Sequence, residues 1–183
     1  VVGYHATNVI FHVLAALTLL WLIQILFRDL LLSFLAALIF VVHPVHTEAV
    51  AYISGRADPM AAFFMVLSFC LYLKNARGPT ALGISGMCLC YLCALLSREN
   101  TLIFPALILL YHFTFREKLS DSYFTSKKAL IGILGTMVVY LVWRWVVFQG
   151  LVLEQSTPTT FWQRAPGIFV ALAKYVRLLL VPF

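Results

Sequence analysis

Charged residues are scarce in this chain of 183 residues. Lys, Arg, Asp and Glu together make up 11% of it, whereas hydrophobic residue types make up 63%, and the mean hydropathy is +0.97. Soluble domains carry about 25% charged residues. The composition therefore excludes an ordinary soluble domain and predicts a membrane protein with several spans.

Familiar catalytic motifs are missing as well. The sequence contains no P-loop, no Rossmann glycine pattern, no HExxH motif and no G-x-S-x-G motif, which argues against nucleotide-binding enzymes, zinc proteases and α/β-hydrolases. The net charge is +6, but the basic residues lie mainly between apolar runs and form no patch with exposed aromatics. We therefore expect no nucleic-acid partner.

The cysteines and the N-terminal residues say little about function. All four cysteines fall inside apolar runs, and although Cys90-x-x-Cys93 has a redox or zinc spacing, we interpret it as buried packing. No metal site is predicted from the cysteines. The chain has neither an initiator methionine nor a signal-peptide pattern, and we expect it to be a piece of a longer protein.

Long apolar segments are what the chain has in abundance. They run over Asn8–Phe27, Leu30–Val42, Pro59–Leu73, Ala81–Leu96, Thr101–Phe115, Ala129–Phe148 and Pro166–Phe183. A straight helical crossing needs roughly 20 residues, so the first and sixth segments fit easily and several others are short. The sequence predicts an all-α integral membrane bundle of about six to seven apolar helices.

The last segment can be placed in two ways. It is apolar enough to cross the membrane, yet Lys174 and Arg177 stand in its middle, where a charge is costly. Either these cations face a cavity or an anionic ligand, or the segment lies flat at the membrane interface.

The positions of Lys and Arg predict the orientation. If the first segment runs inward, the inner side receives Arg28, Lys74, Arg77, Arg116, Lys118, Lys127 and Lys128. The outer side receives Arg56, Arg98 and Arg164. The more basic side is expected to be cytoplasmic, so the other polar motifs are predicted to meet at the periplasmic or lumenal face.

The stretch from His43 to Pro59 is the strongest candidate site. Two histidines, two carboxylates and an arginine are crowded there between apolar runs, and such groups are expensive at a membrane boundary unless they have partners or a task. His43 can cap a short helix, and Asp58 before Pro59 predicts an N-cap. His46 and Glu48 have no such local duty, which favours a functional role.

Two further polar motifs are predicted on the same side. His5, Asn8 and His12 fall within roughly 60° of one another on one helix face, so they face either a wet cavity or neighbouring helices through hydrogen bonds. Arg98-Glu99 forms a turn in which the arginine either grips a phosphate or only reaches toward water.

Five motifs stand out together: Gly3-Tyr4-His5-x-x-Asn8-x-x-x-His12, His43-Pro44-Val45-His46-Thr47-Glu48-Ala49-Val50-Ala51, Gly55-Arg56-Ala57-Asp58, Arg98-Glu99 and Lys174-Tyr175-x-Arg177-Leu178-Leu179-Leu180-x-Pro182. In combination they resemble a known family, the transmembrane and tetratricopeptide-repeat-containing O-mannosyltransferases with their bacterial relatives. The resemblance implies a GT-C fold. It also implies a glycosyltransferase that moves a sugar, such as mannose, from a polyprenyl- or dolichyl-phosphate carrier to a protein or glycan hydroxyl.

The resemblance also implies the roles of the site residues. Glu48 and His46 would serve catalysis on the sugar or acceptor side. Substrate binding would fall to Arg56, Asp58, Arg98, Glu99, His43, His5, Asn8, His12, Lys174 and Arg177, with the cations on the lipid phosphate. A bound divalent metal is conceivable through histidine and carboxylate groups, but their spacing is too common to assign one.

The family pattern extends beyond this chain at both ends. Its first span with an acidic loop and its C-terminal repeats are absent from residues 1–183, which we interpret as a single transmembrane domain fragment. The main catalytic acid is therefore expected outside it, and the fragment alone is expected to be inactive. The membrane is expected to be the bacterial inner membrane, with the endoplasmic reticulum as the alternative.

Two rival functions remain open. A non-catalytic membrane anchor for a tetratricopeptide-repeat domain would carry the same helices. A transporter is less favoured, because the inner halves of the segments carry little polarity beyond Gln24 and His112.

Overall fold

The computed structural model describes residues 2–75, 80–115 and 127–149, together with positions 167, 170, 174, 176 and 177. Across the three continuous ranges the chain is helical and contains no strand. The helices are α1 Val2–Phe27, α2 Leu30–Val42, α3 Thr47–Ala51, α4 Ala57–Asn75, α5 Ala81–Ser97, α6 Phe104–Thr114 and α7 Lys127–Gln149. The predicted all-α class is confirmed.

Three of these helices are long and apolar enough to cross a membrane. They are α1, α4 and α7, with spans of 25, 19 and 21 residues. Helix α2 and the following Pro44–Ala51 reach span length together, but they are bent by 49°. This bend lies at His43-Pro44, where proline cannot continue the preceding helix. Helices α5 and α6 are shorter, as the lengths of their apolar segments predicted.

The helices form a bundle around one apolar core, and consecutive long helices run in opposite directions. Helix α4 packs against α5 and α1, while α1 also packs against α2, and α5 packs against α7. Fully buried side chains fill the centre, among them Met87, Tyr91, Leu95, Phe104 and Ile108. Alternating helix directions bring the start of α1, the end of α2, α3, the start of α4 and the end of α5 to one end of the bundle. We call this end the polar end.

Side chains of the connecting residues fix where the helices begin. His43 Nδ1 accepts a hydrogen bond from the Val45 amide at 3.2 Å, as predicted for a cap. Asp29 Oδ1 accepts one from the Leu32 amide at 3.0 Å and caps α2. The predicted N-cap at Asp58 is wrong, because α4 already begins at Ala57. Asp58 thus lies in the first turn of α4, where its carboxylate is available to another partner.

Helix α1 begins earlier than its apolar segment. The apolar segment begins at Asn8, whereas the helix begins at Val2 and includes His5, as the shared helix face of His5, Asn8 and His12 predicted. A helix tolerates polar residues when their side chains meet protein rather than lipid. The contacts of these residues therefore decide what the polar end is for.

Candidate functional site

Asn8 ties α1 to the central polar segment. Its side chain is fully buried, and its Nδ2 donates hydrogen bonds to the carbonyl oxygens of Val50 at 3.2 Å and Tyr52 at 3.0 Å. Its Oδ1 is buried without a hydrogen-bond partner among the described residues. The interhelical alternative holds for Asn8, which fixes α3 and the turn after it against α1.

Two imidazoles pack against Phe40 beside this anchor, and a third lies next to them. The His12 ring stacks on Phe40 with centroids 5.2 Å apart, and the His46 ring lies 4.4 Å from Phe40 and 5.3 Å from His12. His43 is 6.2 Å from His46. The 49° bend after α2 creates this cluster, because it turns His46 back toward α1.

The cluster lines an open pocket of about 430 Å3. Its described lining residues are His5, Val9, His12, Val41, Val42, His43, His46, Thr47, Val50 and Ala51. Imidazole nitrogens can donate or accept hydrogen bonds, and here they stand over apolar walls. This combination suits a small, hydroxyl-rich molecule with one apolar face, because polar groups fix its orientation while the walls exclude water.

The histidines do not by themselves form a metal centre. Within residues 2–75, 80–115 and 127–149, no group of three or more His, Cys, Asp or Glu side chains is arranged to hold a metal ion. The four cysteines lie apart from the pocket, within α4 and α5, and they form no disulfide bond.

Arg56 lies next to this region and has no carboxylate partner in the described part of the chain. Its guanidinium carbon stands 5.5 Å from the centre of the Tyr4 ring, and the residue is exposed. A cation–π contact orients a guanidinium without neutralising it. Arg56 can therefore offer its N–H donors to an anion that approaches the polar end.

Arg98 is engaged differently, in a two-point ion pair with Asp58. Its Nε lies 2.6 Å from Oδ1, and its Nη2 donates to Oδ2 at 2.7 Å. This hydrogen bond and the carboxylate charge raise the pKa of Arg98 above its ordinary value, so the guanidinium stays charged. The side chains of Arg98 and Asp58 are about half exposed, and the pair joins the end of α5 to the start of α4.

A second ion pair begins at the next residue. Glu99 binds Arg144 of α7, whose Nη1 also donates to the Tyr140 hydroxyl at 3.2 Å. Arg144 stands between Trp143 and Trp145, where an arginine commonly only anchors a helix at the membrane interface. The structure instead gives it a carboxylate partner, and the two consecutive ion pairs connect α4, α5 and α7.

The predicted site residues therefore fall into two groups. His5, His12, His43 and His46 share the pocket, and Asn8 supports it. Arg56, Asp58, Arg98 and Glu99 lie at the same end but are absent from its described lining. For Glu48 the structure describes only the backbone within α3, and the Glu48 side chain lies outside the described residues. Lys174 and Arg177 are exposed helical positions described singly.

Some contributors were not predicted from the sequence. Phe40, which contacts His12 and His46, stands three residues before His43, and this helical spacing could have indicated it. Tyr4 under Arg56 was quoted as part of a motif without a role. The valine walls of the pocket carry no signal in sequence, because valine is common throughout the apolar segments.

Fold and site together define an all-α integral membrane protein with a histidine-lined pocket at one end of its helices. Comparison with known proteins confirms the resemblance suggested by the motifs. The chain is 43% identical to protein O-mannosyl-transferase TMTC1 of Mus musculus over 86 residues, which are 46% of the chain and 9% of that relative. It is 42% identical to human protein O-mannosyl-transferase TMTC2 over 105 residues, which are 54% of the chain and 12% of that relative.

A nematode relative gives the same result. Protein O-mannosyl-transferase F38B6.6 of Caenorhabditis elegans is 41% identical over 76 residues, which are 40% of the chain and 11% of the relative. The matched parts thus span only about a tenth of these relatives' own lengths. No family model and no solved structure matches the chain.

Proposed function

We propose that this chain forms part of a membrane glycosyltransferase that moves a sugar, mannose by analogy with its relatives, from a polyprenyl or dolichyl phosphate carrier to a protein hydroxyl. The observation that carries the proposal is the pocket of about 430 Å3 at the polar end, with four histidines among its lining residues. Its volume lies within the range of roughly 300–1,000 Å3 common for small-molecule sites. The names of the relatives support the same class of reaction.

The reaction assigns a role to each group of residues. The acceptor hydroxyl attacks the anomeric carbon, the bond from that carbon to the phosphate oxygen breaks, and the carrier phosphate leaves with the electron pair. A carboxylate takes the hydroxyl proton. The pocket imidazoles bind sugar hydroxyls, and the resemblance assigns Glu48 and His46 to the sugar or acceptor side. Positive charge near the departing phosphate stabilises the transition state.

Among the cations, Arg56 is the foremost candidate for the phosphate. It is exposed and lies beside Tyr4 without an ion-pair partner in the described ranges. Arg98 shares its charge with Asp58, so it would act on a phosphate only together with that carboxylate. Lys174 and Arg177 remain proposed contributors, and both are exposed.

Replacing Arg56 by glutamine tests this assignment. We expect sugar transfer from a lipid-phosphate donor by the full-length protein to fall about tenfold, mainly as a higher KM for the donor, because one charge-assisted hydrogen bond to phosphate is lost. The assay measures transfer of radiolabelled mannose from dolichyl phosphate mannose in isolated membranes. Lys127→Gln, which removes an exposed cation at the start of α7, is the matched control and should transfer normally.

Two results would count against the proposal. If Arg56→Gln kept the KM of the unchanged protein, the phosphate assignment would be wrong. If the full-length protein transferred no sugar from any lipid-phosphate donor, the membrane-anchor alternative would replace the transferase.

We further propose that the polar end faces the lumen of the endoplasmic reticulum. The relatives with matching segments come from animals, which fits this membrane better than the bacterial inner membrane that the sequence had favoured. The more basic end of the bundle then faces the cytoplasm, as positive residues usually do.

Two threonines at opposite ends of the bundle allow a labelling test. Thr47 and Thr114 are both exposed, and replacing either with cysteine changes little volume. In sealed microsomes, an impermeant maleimide should label Thr114→Cys at once and Thr47→Cys only after permeabilisation, relative to the unchanged protein. The reverse pattern would invert the proposed orientation.

A further inference from the structure

A second pocket lies at the end of the bundle opposite the histidines. Its volume is about 280 Å3, and its described lining residues are Gln24, Ile25, Arg28, Leu73 and Lys74. The pocket lies between the last turn of α1 and the last turn of α4. We propose that it binds the phosphate headgroup of an anionic phospholipid in the membrane leaflet on that side.

The charge of the pocket supports an anionic ligand. Arg28 and Lys74 are two cations with no ion pair in the described part of the chain, and the described lining includes no carboxylate. Asp29, next in sequence to Arg28, is engaged in capping α2 through the Leu32 amide. A phosphate would therefore meet two positive charges that no lining carboxylate neutralises.

Two further contacts position polar side chains of this pocket. Lys74 Nζ lies 4.6 Å from the centre of the Trp21 ring, which positions the ammonium group while leaving its charge intact. Gln24 Oε1 accepts a hydrogen bond from Ser33 Oγ at 3.0 Å. The amide of Gln24 thus adds a neutral polar group to the pocket wall.

The surroundings favour a lipid over free phosphate as the source of the anion. Ile25 and Leu73 give the pocket apolar walls, and the adjoining start of α2 presents Leu30 and Leu31, each about two-thirds exposed. These side chains are suited to acyl chains when the headgroup occupies the pocket. Basic pockets between helices on the cytoplasmic side bind anionic headgroups in other membrane proteins.

Trp21 provides a local reporter for this site. In the reconstituted chain, Trp143, Trp145 and Trp162 are replaced by phenylalanine so that only Trp21 remains. Its fluorescence is then quenched by phosphatidylserine or phosphatidylcholine with brominated acyl chains in otherwise unlabelled phosphatidylcholine vesicles. Because two cations near the membrane surface attract an anionic lipid, we expect the site to prefer brominated phosphatidylserine over brominated phosphatidylcholine roughly 30-fold in affinity.

Charge-matched variants separate the site from general attraction. The double variant Arg28→Gln with Lys74→Gln should bind phosphatidylserine and phosphatidylcholine about equally well. Lys127→Gln with Lys128→Gln removes two other exposed cations from the same end and should leave the preference intact. Circular dichroism checks that both double variants remain helical.

Three results would overturn the proposal. In the first, the preference for phosphatidylserine persists after Arg28 and Lys74 are replaced. In the second, both double variants lose it equally, so the lipid responds only to net charge. In the third, brominated phosphatidylserine quenches Trp21 no more than brominated phosphatidylcholine, while millimolar inorganic phosphate changes the Trp21 fluorescence, so the pocket takes a free anion and no lipid.

Discussion

Replacing His46 with phenylalanine is expected to lower sugar transfer by the full-length protein on the order of 100-fold. His46 lines the pocket and lies 4.4 Å from Phe40 and 5.3 Å from His12. Phenylalanine keeps the ring that packs in this cluster and removes both ring nitrogens. The loss should therefore appear in transfer, measured with dolichyl phosphate mannose, while thermal unfolding of the protein in detergent changes little.

His112 provides the matched control for this variant. It is half-buried, bonds the Tyr72 hydroxyl at 2.7 Å, and lies in α6 away from the histidine pocket. His112→Phe should lower the free energy of unfolding by about 1 kcal/mol, the usual worth of one hydrogen bond, and leave transfer near normal. Full transfer by His46→Phe would show that the pocket does not bind substrate through this imidazole.

Replacing Gly55 with valine is expected to lower the free energy of unfolding by about 3 kcal/mol. A Cβ at this position would lie 2.6 Å from the carbonyl oxygen of Ala49 and 3.1 Å from its carbonyl carbon. The backbone of Gly55 has no positive φ, so the constraint is the close approach of two backbone segments. Thermal unfolding followed by circular dichroism measures the effect.

The same substitution should also disturb the pocket. Ala49 belongs to α3, and its neighbours Val50 and Ala51 line the pocket. The Val50 carbonyl oxygen also accepts a hydrogen bond from Asn8 Nδ2. Moving α3 away from Gly55 therefore changes the shape of the pocket, and transfer should fall together with stability. Gly135→Ala is the control, because a Cβ there meets nothing within 4 Å. This helix substitution should stabilise the protein by about 0.5–1 kcal/mol. Wild-type stability in Gly55→Val would refute the close packing.

Much of the fold could be predicted from hydrophobicity alone. Helix α2 has the bounds of its apolar segment, and α5 differs by one residue. Such segments are predictable because every buried backbone group in lipid must be satisfied within the chain, and helices achieve this locally. The short helix after His43 and the inclusion of His5 in the first helix were also predicted, but the hydrogen bonds from Asn8 to Val50 and Tyr52 were not, since they join segments that are distant in sequence.

The candidate site was predictable in content and less so in geometry. The motifs indicated which residues are costly at a membrane boundary, and His5 and His12 do share a pocket with His43 and His46. The partners of Arg98 could not be read from its turn, because Asp58 is 40 residues away and had a plausible local duty as a cap. An ion pair forms between whichever charges the packed helices bring together.

The sequence by itself determined the class of this protein, its helices, and the set of polar residues that gather at one end. Each of these follows from local composition, because the free-energy cost of placing a charge or an unpaired backbone N–H or C=O group in lipid depends on that residue alone. Only the tertiary structure decided that the histidines form the pocket wall, that Arg98 and Glu99 are engaged in ion pairs, and that Arg56 has no such partner among the described residues. These outcomes depend on the bend after α2 and on the packing of the helices, which set the distances between residues far apart in the chain.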